Sequence, residues 1–140
     1  MLSVEDHAVR TYVYVDAFNL YYGALKGTPY KWLDLQALCR VMIPKNAVNC
    51  IKYFTARIHP RVGDPDQPMR QIVYLRALQT MPNLQIHKTV GVINPQKTPC
   101  KALQSAARFY KHICEAALQA SQFPPVLTDK QGTFHKPPAW

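Results

Sequence analysis

The chain has 140 residues, 48% of them hydrophobic, which suits one domain with a real core and excludes a disordered tail or linker. No apolar stretch approaches the roughly 18 residues of a membrane span. The opening MLSVEDHAVR has no apolar run, which excludes a signal peptide and predicts a cytoplasmic protein with no membrane partner. The formal charge of +9 is unevenly spread: 8 basic and 6 acidic residues up to Asp66, then 9 basic and 2 acidic. Such a surface favours phosphate backbones, so RNA is the expected partner.

Tyr12 to Val15 is β-rich and almost unbroken by polar residues, as in a central strand covered on both faces. Asp16, Asn19 and the aromatic pair Tyr21 and Tyr22 follow at once. A helix is expected from Asp34, a good N-cap residue, to Pro44, with Leu35, Leu38, Cys39 and Met42 on one face. Cys50 to Ile58 reads as a second strand. The loop HPRVGDPDQP comes next, in which Asp64 and Asp66 are turn formers. Met69 to Thr80 suits a helix, and a third strand begins at Leu84 and extends toward Ile93. Alternating strands and helices predict a doubly wound parallel sheet.

Residues 94–99 read as a polar connection. Lys101 to Gln122 has a helical period, with Lys101, Arg108, Lys111, His112 and Glu115 in a polar stripe opposite Leu103, Tyr110, Ile113, Cys114 and Ala117. Lys101, Arg108 and Lys111 would form a phosphate-contacting ridge, or simply a wet outer face. After Phe123, PPVLTDKQGTFHKPPAW reads as a loose, proline-rich tail. The expected units are 1–93, 94–123 and 124–140. Cys39, Cys50, Cys100 and Cys114 lack metal-ligand spacing, and most should be small core residues.

Ligands of open parallel sheets sit at the carboxyl ends of the strands, where Asp16 stands. A carboxylate there can hold a hard cation, and the amide of Asn19 can assist. The turn or capping role common to Asp after a strand is the alternative. YVYVDAFNLYYG resembles the opening motif of the NYN domain family, the PIN-like ribonucleases of small bacterial proteins. The resemblance continues through YKWLDLQALCRVMIP, IKYFTARI and QIVYLRAL to PNLQIHK, about residues 11–88. It implies a PIN-like, Rossmann-like α/β sandwich, RNA cleavage with Mg²⁺ or Mn²⁺, Asp16 as metal ligand and Asn19 as the motif asparagine.

After Lys88 the chain departs from the family, which continues with a Lys-Gly-x-Asp helix and a Ser-x-Asp-Ser-Asp cluster. Here the only later acids are Glu115 and Asp129. The sheet is therefore expected to be incomplete, with a divergent C-terminal amphipathic helix. A truncated or frame-shifted product is one explanation; the regular stripe from Lys101 favours a natural short form. Three readings follow: a metal-dependent ribonuclease, a non-catalytic RNA-binding module that stacks bases on Tyr21, Tyr22 or Trp32, and a remnant whose sheet needs a second copy or a partner chain to cover it.

Overall fold

The computed structural model describes residues 8–88 and 111–140. Strand β1 (Val9–Asp16) runs into the short helix α1 (Ala17–Leu20) and a π-helical turn, Tyr21–Leu25. Helix α2 (Leu35–Met42) is capped by Asp34, whose side chain accepts from the Ala37 amide at 3.0 Å. Strand β2 (Asn46–Thr55), helix α3 (Gln67–Leu78) and strand β3 (Leu84–Lys88) follow. The remainder consists of helix α4 (Glu115–Gln119) and an antiparallel hairpin, β4 (Val126–Asp129) and β5 (Gly132–His135).

The large sheet has the order β1-β2-β3, and both pairings are parallel. Two successive crossovers in one direction join the three strands, and α2 and α3 feed one hydrophobic cluster. The mixed α/β class expected from the sequence is what the chain adopts. The place of the first strand is not as expected: β2 is central, and β1 lies at the sheet's edge among the described residues. Its Val13 and Val15 pack against the core, whereas Tyr12 and Tyr14 are 60% and 64% exposed on the opposite face. A run of consecutive apolar residues therefore hid a strand that, among the described residues, is covered on one face.

The core is organised around Trp32, which is fully buried between Tyr74, Phe123, Phe134 and Trp140. Its indole N–H donates to the Pro124 carbonyl at 2.8 Å, so the ring's one polar atom is satisfied. Trp32 is thus a core residue, and its expected alternative as a base-stacking group falls away.

The C-terminal residues are not a loose tail. Asp129 Oδ1 accepts from the Gln131 amide at 2.8 Å to turn the chain, and Gly132 (φ 117°) takes a conformation that favours glycine. Phe134 points into the core, while Thr128 and Thr133 pair outward. Arg76 of α3 grips Asp129 with Nε at 2.6 Å and Nη2 at 2.7 Å, and its guanidinium lies 4.2 Å from the Phe134 ring centroid. The hairpin and Trp140 therefore pack into the same hydrophobic core as Trp32.

The long helix expected over 101–122 is also corrected where it is described. Residues 111–114 are not helical, and only Glu115–Gln119 is. Ala117 and Leu118 face inward, but Ile113 and Cys114 are exposed. The expected extension of the third strand beyond Lys88 and the stripe from Lys101 to Tyr110 lie outside the described residues. Among the described residues no helix is long and apolar enough to cross a membrane.

Candidate functional site

Asp16 ends β1 and caps α1. Its Oδ1 accepts from the Asn19 backbone amide at 3.1 Å, and its Oδ2 from the Asn19 side-chain amide at 3.0 Å. The two motif residues are thus brought together as a capping pair, with the Asn19 nitrogen turned toward the carboxylate. Both line a hollow of about 380 Å³ whose other walls are apolar: Val13 and Val15 of β1, and Leu35, Leu38 and Met42 of α2. The hollow runs beside β1, the edge strand of the sheet among the described residues.

The other acids among the described residues are engaged or placed elsewhere. Asp34 caps α2. Asp64 forms an ion pair with Arg70, whose hydrogen bond holds the carboxyl below its ordinary range. Glu115 accepts from the Tyr30 hydroxyl at 3.1 Å. Asp129 is taken by Arg76, which lowers its pKa to about 2. Asp66 precedes α3 without a side-chain capping bond. No group of three or more His, Cys, Asp or Glu residues able to hold a metal forms among the described residues, and positions 89–110 contain no acid at all.

A second hollow, about 90 Å³, lies on the other side of α1. It is lined by Tyr21 and Tyr22 from the π-helical turn, Lys31, Arg61 from the loop after β2, and Arg70 and Gln71 from α3. Gln71 holds the loop in place: its Nε2 donates to the Ala56 carbonyl at 2.8 Å and its Oε1 accepts from the Ile58 amide at 3.2 Å. Tyr21 and Tyr22 meet edge to face at 5.2 Å, and Lys26 Nζ sits 5.1 Å from the Tyr22 ring centroid. Burial, with a smaller contribution from Tyr22, raises the Tyr21 phenol, so it stays a neutral donor. Lys31, Arg61 and Arg70, the last paired with Asp64, leave this cleft electropositive.

The sequence-predicted residues therefore separate. Asp16 and Asn19 face one hollow, Tyr21 and Tyr22 the other, with Leu20 between them lining both. Lys111 is exposed and donates to the Met42 carbonyl at 3.1 Å, at the apolar hollow and not at the cationic cleft. Lys101 and Arg108 lie outside the described residues. Sequence reasoning missed Lys31, Arg61, Arg70 and Gln71. The signal for Arg61 was its position in the loop at the carboxyl end of β2; the other three are joined only by tertiary packing.

No family model matches the chain, and no solved structure does. Among curated proteins, it is similar to the 6-hydroxy-3-succinoylpyridine 3-monooxygenase HspA of Pseudomonas putida. The identity is 32% over 127 residues, taking in 69% of this chain and 41% of that protein. The chain spans well under half the length of this relative.

Proposed function

We propose that this chain is an NYN-type fold that binds RNA through the cationic cleft beside α1. One observation carries the reading: Lys31, Arg61 and Arg70 converge with Tyr21 and Tyr22 on one cleft at the end of the sheet where such folds bind ligands. Cations hold the phosphate backbone, and the half-buried tyrosines offer bases a ring edge to stack on. The chain's surplus of +9 adds long-range attraction.

The resemblance also implies Mg²⁺ or Mn²⁺ at Asp16. Among the described residues the donor set does not fit that role. Phosphodiester chemistry draws several carboxylates to one point, whereas Asp16 sits beside an amide, Asn19, and no cluster of three or more His, Cys, Asp or Glu residues forms among the described residues. RNA cleavage is therefore not part of this reading, and RNA binding is.

The relative supports a second reading, in which the ligand is a small aromatic carboxylic acid. Phe18, Tyr22 and Trp140 give the cleft aromatic walls, Lys31 and Arg61 suit a carboxylate, and about 90 Å³ suits one small ring better than a nucleotide. Filter binding with labelled single-stranded RNA, and calorimetry with 6-hydroxy-3-succinoylpyridine, separate the two. RNA affinity that weakens in Arg61→Ala supports the first. Binding of the pyridine compound without RNA affinity replaces it with the second.

A further inference from the structure

We propose that the open edge of β1 pairs with the same edge of a second copy of this chain, antiparallel and centred on Val13. The inference is independent of the RNA reading. Among the described residues, no backbone hydrogen bond reaches β1 from the side away from β2. An eight-residue edge with Val9, Tyr12 and Tyr14 each at least 60% exposed is a template for another strand.

The sequence of that edge, VRTYVYVD, is self-complementary about its centre. A two-fold axis at Val13 puts Tyr12 opposite the second copy's Tyr14, and Arg10 opposite its Asp16. These four residues all lie on the exposed face, because side chains alternate along a strand. On the other face Val13 meets Val13, and Thr11 meets Val15. Each aromatic thus faces an aromatic and each charge its opposite, twice over, as an isologous interface requires. Registers shifted by two residues lose the Arg10 to Asp16 pairing, and a one-residue shift breaks the inward alignment of the valines.

The apolar hollow lies on this same side, between β1 and α2. A second sheet joined there brings its own β1 and α2 alongside, and so covers Leu35, Leu38 and Met42. The cationic cleft stays open, because α1 separates it from this edge.

Sedimentation velocity of the full chain tests the proposal, with Arg10→Glu, Asp16→Lys and their equimolar mixture, and circular dichroism reporting the fold of each. The wild type is expected at twice the 16.0 kDa chain mass. Each charge variant alone sets like charges opposite each other and is expected as a monomer. The mixture restores both attractive pairs and is expected to form a heterodimer. Tyr12→Lys, which leaves the Asp16 cap untouched, is also expected to be monomeric. A wild type that stays monomeric at about 100 μM, roughly 100-fold above a micromolar dissociation constant, overturns the proposal. A dimer that survives in Arg10→Glu and Tyr12→Lys, or folded charge variants that fail to combine, overturns it as well.

Discussion

Asp16 gives both of its carboxylate oxygens to Asn19, one to the backbone amide and one to the side chain, at 3.1 and 3.0 Å. The pair that resembles a catalytic motif is in this fold a helix cap. Capping residues are worth about 1 kcal/mol when replaced by alanine. Asp16→Ala is therefore expected to lower the unfolding free energy by about that amount, and Asp16→Asn by less, since the asparagine keeps one acceptor oxygen. Urea denaturation checks both.

Asp129 carries a predicted pH dependence. Its pKa falls from 3.8 to about 2, chiefly through the hydrogen bond from Arg76. A depressed carboxyl stabilises the fold above its unfolded value. That contribution is lost as pH falls through the folded value, so the relevant window is from about 4 to about 2. Near-UV circular dichroism of the packed tryptophans should fade in that window. Asp129→Asn should lower the melting temperature at neutral pH and flatten this acid limb.

Trp32 makes the densest ring contacts in the core, so its removal tests the packing directly. Trp32→Ala opens a cavity between Tyr74, Phe123, Phe134 and Trp140 and is expected to cost about 3–5 kcal/mol. Because the hairpin shares that cavity, the variant should also expose the C-terminal residues to limited proteolysis. A stable variant that resists the protease would show that the hairpin holds without the indole.

Much of the fold was legible because its signals are local. Asp34 before an apolar face gave the start of α2, and the strand expected over Cys50 to Ile58 runs instead from Asn46 to Thr55, starting and ending earlier. The earlier start exists because Asn46 to Val48 pair with Val9 to Thr11, a contact between distant segments. The hairpin was missed for a related reason. Its strands are four residues each, too short for a period, and flanking prolines suggested a loose tail. What fixes it is Arg76, 53 positions away from Asp129. The site divided along the same line. Asp16 and Asn19 were legible as neighbours in the chain, whereas the cleft of Lys31, Arg61 and Arg70 is assembled by packing from three separate segments.

Salt dependence gives a further prediction. Lys31→Ala and Arg61→Ala should each weaken RNA binding and reduce the slope of log affinity against log salt by roughly 0.7, the contribution of one phosphate contact to a single strand. Neither should alter the melting temperature by more than about 0.5 kcal/mol equivalent, as for other surface substitutions. Titrations at several salt concentrations measure the slope.

The most direct test is incubation of a labelled RNA with the wild type and Asp16→Asn, each with Mg²⁺, Mn²⁺ or EDTA, scoring binding and cleavage together. The account predicts RNA bound equally by both proteins, undiminished by EDTA and uncleaved. Cleavage that requires the divalent ion and disappears in Asp16→Asn, or an absence of RNA affinity in the wild type, would contradict it.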